Sequence, residues 1–217
     1  MKRCKKWLAI ALALMLLLSG CSNRGAGDPT TDTTAPGTRP AGNLICVEIS
    51  RFSGGFVEDG SDTQVQDVAA ILVANNTGKF LELATVTYQV GDRTAVFRVT
   101  GLPSGKRAWV LESNRLTLSD GDELVLEDCQ ETYNPNAILF SDALDVSRQG
   151  HSLTLTNISD KRLSNVVVYY KNTLKDGSYM GGIAYFISFG DLAPGDSVTK
   201  AKDHFGDNSE IVRFSYQ

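Results

Sequence analysis

The sequence predicts an all-β protein: two tandem immunoglobulin-like β-sandwich domains that follow a signal peptide and a disordered tether. Three observations predict it. Runs rich in Val, Ile, Leu, Thr and Tyr recur at short spacing through residues 44–217. Clusters of Asn, Asp, Gly and Pro separate those runs, as turn chemistry requires. A stretch of this pattern occurs twice, so the chain divides into two related halves.

The first element is the amino-terminal segment. Lys2, Arg3, Lys5 and Lys6 form a positive region, and Trp7 to Leu18 form an unbroken apolar run. That run fits a secretory signal and is shorter than the roughly 20 residues a spanning helix needs. Leu18-Ser19-Gly20-Cys21 follows directly and resembles the lipobox of bacterial lipoproteins. The resemblance implies that the Cys21 thiol receives a diacylglyceryl group, that the signal (residues 1–20) is cut just before it, and that the new amino group is acylated, with palmitate among the acyl chains. One chain anchors only marginally, so two or three are needed for stable attachment. The expected location is the extracytoplasmic face of the cell membrane, or the outer membrane where the cell has two. Ser22 is compatible with outer-membrane sorting, whereas a Thr/Pro-rich tether also suits a single membrane.

Removing residues 1–20 takes away four basic residues and no acidic one, leaving 17 Lys+Arg against 25 Asp+Glu and a formal charge of -8 in place of -4. No basic stripe remains to neutralise phosphates, so nucleic acid is not an expected partner. With lipidated Cys21 counted as its first residue, the linker spans residues 21–43, and Ser22 to Asn43 offers no large apolar side chain to bury. That composition predicts a flexible linker with an r.m.s. span of roughly 26 Å.

The repeat fixes the remaining organisation. Val73-Ala-Asn-Asn-Thr-Gly-Lys-Phe-Leu81 is echoed by Leu155-Thr-Asn-Ile-Ser-Asp-Lys-Arg-Leu163, which aligns Asn75 with Asn157 and Thr77 with Ser159. Further on, Phe97-Arg-Val-Thr-Gly-Leu-Pro-Ser-Gly105 parallels Ile187-Ser-Phe-Gly-Asp-Leu-Ala-Pro-Gly195. The reading is one sandwich over 44–130 and a second over 131–217. Strands are expected at 44–52, 65–74, 81–90, 94–100, 107–112 and 123–128, then at 137–146, 152–157, 163–171, 180–189, 196–200 and 210–216. Asn-Asn-Thr-Gly, Gly-Asp, Pro-Ser-Gly, Ser-Asp-Gly-Asp, Lys-Asp-Gly and Pro-Gly punctuate them, and about six strands per half suit a sandwich.

The run Leu-Thr-Asn-Ile-Ser-Asp-Lys, its alternating strand, Lys175-Asp-Gly177 and Asp191-Leu-Ala-Pro-Gly-Asp-Ser197 together resemble the small Ig-like domains of the FxLYD type carried by bacterial envelope lipoproteins. Where that family has its eponymous motif, this chain has Val168-Tyr-Tyr-Lys-Asn172 and Val86-Thr-Tyr-Gln-Val90. The resemblance implies a non-catalytic extracytoplasmic module and supplies no active-site residues.

Few residues bear chemistry. Cys46 and Cys129 are the cysteines left after the signal and Cys21, and an even count outside the cytoplasm suggests a disulfide closing a loop of 82 intervening residues. The alternative is two thiols, one buried and one exposed. His151 and His204 have no paired-ligand spacing and no nucleophile elbow, so they read as solvated loop residues, with no catalytic group, metal or cofactor expected. Glu58 to Asp62 and Asp120 to Glu123 are oxygen-rich but depart from a calcium-loop pattern. Asn75-Asn-Thr77 and Asn157-Ile-Ser159 match a glycosylation acceptor, and their recurrence at one repeat position points to a turn instead.

Strand parity adds one surface. If Val166, Val168 and Tyr170 face the core, Val167 and Tyr169 face outward, and Phe186 and Ala184 do so on the later strand. The matching positions in the first half are Thr85, Thr87 and Arg98. An aromatic face in one copy alone predicts a contact patch of Val167, Tyr169 and Phe186, or packing against the first half. The functional reading is a non-enzymatic, membrane-anchored envelope lipoprotein that binds or scaffolds an envelope protein or cell-surface partner. An accessory subunit of an envelope enzyme or transport complex, or a passive spacer, is the alternative.

Overall fold

Thirteen β-strands and no helix account for the regular structure of residues 39–217, the part of the chain described by this computed structural model. The signal segment, Cys21 and most of the expected tether lie outside the described residues. The strands are β1 (Arg39–Ala41), β2 (Leu44–Phe56), β3 (Thr63–Asn75), β4 (Phe80–Val90), β5 (Arg93–Leu102), β6 (Lys106–Leu111) and β7 (Val125–Asn134). They continue with β8 (Leu144–Gln149), β9 (Ser152–Asn157), β10 (Leu163–Thr173), β11 (Tyr179–Leu192), β12 (Ser197–Ala201) and β13 (Ser209–Ser215).

The internal repeat has a topological counterpart. In the first copy β2-β3-β6 form one layer and β5-β4-β7 the other; in the second, β8-β9-β12 and β11-β10-β13 take the same places in the same order. Each copy is therefore a three-on-three sandwich, and the all-β sandwich expectation holds. The sequence alone had no signal for their connection. β6 pairs in parallel with the start of β11, Tyr179 opposite Ala108 and Met180 opposite Trp109, which fuses layers of the two copies into a seven-stranded sheet, β1-β2-β3-β6-β11-β10-β13.

The two main cores lie on opposite faces of that sheet, because side chains alternate along a strand. On β10, Val168 and Tyr170 enter the second core with Leu153, Leu155, Ile187 and Phe205. Tyr169 between them packs against the first core, which holds Ile71, Val86, Phe97, Val110 and also Tyr179 and Val212 from the second copy. A third cluster, Phe56, Val68, Ala70 and Leu111, sits on the other face of the first copy beside Trp109 and Met180.

The recurring asparagines build the same polar clamp twice. Asn75 Nδ2 donates to the carbonyls of Lys79 and Leu102 at 2.8 Å each, and its Oδ1 accepts from the Thr77 amide and hydroxyl. Asn157 Nδ2 donates to Lys161 and Leu192 at 2.7 and 2.9 Å, with Ser159 in the role of Thr77. Both asparagines are fully buried, so they are turn-forming residues that the folded chain does not present to a glycosylating enzyme. Replacing Asn157 with Ala leaves buried carbonyls and an amide unsatisfied, and should cost about 3 kcal/mol in urea unfolding; Asn75→Ala should cost a similar amount.

Two element boundaries differ from expectation. β7 continues to Asn134, paired with Phe80 of β4, so residues 131–134 extend the first copy's sheet. The strand expected over 137–146 begins only at Leu144. Pro135 stops the preceding strand and Asn134 Oδ1 accepts the Asn136 amide in a tight turn, after which Ile138 makes a single bridge to Phe214. Phe140 is left 89% exposed.

Candidate functional site

β11 leaves the ladder where it crosses from one copy to the other. Its pairing with β10 jumps from Asn172–Met180 to Tyr170–Tyr185, so Lys171 alone faces four residues, Gly181 to Ala184. A bulge of this size strips backbone groups of their partners, and buried ones must be satisfied elsewhere. Side chains from three elements do so. Lys171 Nζ donates to the carbonyls of Gly181 and Gly182 at 3.1 and 2.7 Å. The Glu58 carboxylate accepts from the amides of Gly182 and Ile183, and also from Leu111 of β6. Thr100 Oγ1 accepts from Ala184.

Both glycines are required by this crossing. Gly181 has φ +90°, and a Cβ there would lie 3.0 Å from Val57 Cγ2. At Gly182 a Cβ would overlap the carbonyl oxygen of Arg98 and approach Val110 Cγ1 to 2.6 Å, so β11 lies backbone-on-backbone against β5.

The hairpin tip between β2 and β3 carries Glu58 into place. Tyr185 donates its hydroxyl to the Val57 carbonyl at 3.1 Å and stacks on His204, whose Nδ1 lies 3.6 Å from Asp62. His204 is thus half-buried against the tip, unlike the solvated loop residue the sequence suggests. His151 Nδ1 meets the Phe205 carbonyl at 2.6 Å. Asp59 pairs with Arg115 at 2.6 Å, and the Arg115 guanidinium lies 4.6 Å over the Phe56 ring. These contacts engage the acidic side chains of the tip.

Burial sets the electrostatics. Lys171 is fully buried, which pulls its pKa down to about 7 against the opposing pull of the Glu58 charge. Burial pushes the Glu58 pKa up, while its backbone donors and Lys171 draw it down. Each group is held by partners that favour its charged form inside a medium that disfavours it.

A cavity of about 350 Å³ opens beside this crossing, lined by Phe56, Glu58, Asp59, Arg98, Ser113, Asn114, Arg115 and Ile183. Its far wall is rigid for an identifiable reason. Glu112, fully buried, accepts from the amides of Val96, Asn114 and Leu116 at 3.0, 2.8 and 2.7 Å. It thereby holds the short loop after β6, with Arg115 at φ +61°.

The other sequence-derived candidates are dispersed. Cys21 lies outside the described residues. Cys46 and Cys129, the candidate disulfide pair, are free thiols in this structure. Cys46 points into the first core with Sγ 3.6 Å from the Glu48 carbonyl, and Cys129 Sγ points to Glu131 Oε1 at 3.5 Å. Burial raises the Cys46 pKa; burial and the neighbouring Glu131 push Cys129 up to about 12, so neither forms a reactive thiolate at neutral pH. Of the aromatic face, Val167 and Tyr169 are half-buried. Tyr169 packs on the first core under the Arg213 guanidinium, 4.3 Å over its ring, and Arg213 is bound by Glu82 of β4 at 2.8 Å. Phe186, 6.4 Å from Tyr169 between ring centres, remains 61% exposed.

Sequence reasoning missed Lys171, Gly182, Glu112 and the cavity. A lysine inside an alternating apolar strand and an adjacent Gly-Gly pair were the available signals. No protein-family model and no curated protein matches this chain.

Proposed function

We propose that this protein is a non-catalytic lipoprotein of the cell envelope, held to a membrane by acylated Cys21, that presents a β-sheet scaffold to an extracytoplasmic protein. The observation that carries the reading is Leu18-Ser19-Gly20-Cys21 behind a basic start and a short apolar run. Phe186 supports binding over passive spacing, since a large aromatic ring is kept in water there. The two-copy scaffold suits this role: side chains from both copies fill the first core, so the exposed face is carried on a stiff support.

Cells grown with labelled palmitate should yield labelled protein in the membrane fraction, and Cys21→Ala should lose the label and leave the membrane. An unlabelled wild-type chain would contradict anchoring. Phe186→Asp should abolish stoichiometric recovery of a partner from detergent-solubilised envelope while leaving the thermal midpoint unchanged. Recovery of no partner by the wild type would favour a spacer, and a partner with enzymatic or transport activity would identify an accessory subunit.

A further inference from the structure

We infer that the cavity at the crossing is a binding site for a small carboxylate whose acid group sits beside an amide N–H, in the manner of an N-acylated amino acid. The inference is independent of lipid anchoring and would stand whether or not Cys21 is modified.

Charge accounting gives the ligand's sign. Four charged side chains line the cavity. Asp59 and Arg115 neutralise each other at 2.6 Å, and Glu58 is committed to the bulge amides and to the charge of Lys171 behind it. Arg98 has neither an ion pair nor a hydrogen bond from its guanidinium among the described residues. Arg98 is therefore the one charged group of the lining without a protein partner among the described residues, and its planar donors match a carboxylate in bidentate fashion.

The remaining lining fits the rest of such a molecule. Ser113 leaves its hydroxyl uncommitted within the wall, and its amide is fixed by the Val96 carbonyl at 2.8 Å. Asn114 turns Nδ2 toward Glu112 at 3.4 Å, which leaves its amide oxygen as an acceptor for an N–H. Phe56 and Ile183 supply an apolar floor. Because Glu112 holds the Ser113–Leu116 loop and Glu58 holds the bulge, these groups are in position before a ligand arrives, and binding loses little ordering entropy. A volume of about 350 Å³ suits a solute of a few heavy atoms per group named.

The test uses full-length protein in a non-ionic detergent, with saturation-transfer NMR of N-acetylglycine and of its neutral isostere N-acetylglycinamide. The acid should bind at millimolar concentration, and the amide should bind about tenfold more weakly or not at all. Arg98→Gln should weaken the acid by about tenfold, and Arg98→Lys should restore part of that loss. Arg98 is exposed, so each variant should keep the wild-type melting temperature. Equal binding of acid and amide, unchanged binding by Arg98→Gln, or no transfer to the acid at millimolar concentration would overturn the inference. Once the acid is seen to bind, an acetylated tripeptide acid tells a chain terminus, which should bind more tightly than N-acetylglycine, from a free small acid, which should not.

Discussion

Gly182→Ala should destabilise the protein by about 3 kcal/mol, although it adds a single methyl group. The added carbon has no vacant space. It meets the Arg98 carbonyl on β5 and Val110 Cγ1 on β6, and the first of these is backbone. Relief would require β11 to move off β5. That movement would lengthen the bonds from Glu58 to the Gly182 and Ile183 amides and from Lys171 to the Gly182 carbonyl. The control is Gly177→Ala, at a turn where a Cβ would meet nothing within 4 Å. Its left-handed φ of +78° should cost only about 1 kcal/mol. Urea unfolding of both variants checks the difference, and a Gly182→Ala cost no larger than that of Gly177→Ala would count against the close approach.

Glu58→Ala should cost about 3 kcal/mol at pH 7. It removes the acceptor for three backbone amides and the negative charge that opposes the loss of the Lys171 proton. Lys171→Met should cost a similar amount at pH 7, since it leaves the Gly181 and Gly182 carbonyls without a donor and Glu58 without its counter-charge. The pair also has a pH signature. The Lys171 pKa is depressed in the folded protein, to about 7 from an ordinary 10.5, so the unfolded chain holds more protons between those values and stability rises with pH across that window. The contribution is present above the unfolded value and is lost as pH falls toward 7. Glu58 runs the other way: its raised pKa gives stability that is present below 4.5 and is lost as pH rises through the folded value. Tyrosines with raised pKa, among them Tyr170 and Tyr185 at about 12, also titrate on the alkaline side. The comparison to make is therefore wild type minus Lys171→Met, which should grow in favour of wild type from pH 7 to pH 10. A flat difference would mean that Lys171 keeps an ordinary pKa.

What was legible in the sequence was local. Alternation in Ala84–Tyr88 and Val166–Tyr170 encodes which side chains face a core, because each residue's face follows from its immediate neighbours. The Asn-x-Thr/Ser clamps were legible for the same reason: four bonds of each reach no farther than the adjoining turn and one neighbouring strand. The crossing was not. Whether Gly181–Ala184 bulges depends on β6 pairing with Tyr179 and Met180 from more than 60 residues away, and no periodicity carries that information. Glu58 illustrates the consequence. In sequence it belongs to an acidic turn with the look of a cation loop, and only the bulge's orphaned amides explain a carboxylate there. Tyr169 was placed on the correct face by parity, yet parity does not say that the first core lies over that face.

The sheet crossing at β6 and β11 joins the two copies into one structure. Native-state hydrogen exchange under increasing urea tests it most directly, following amides of β4 and β5 in the first copy and of β9 and β10 in the second. Both sets should reach a common opening free energy with a single midpoint, and Glu58→Ala should lower both together. Two separated midpoints, with Glu58→Ala shifting neither or only one, would contradict it.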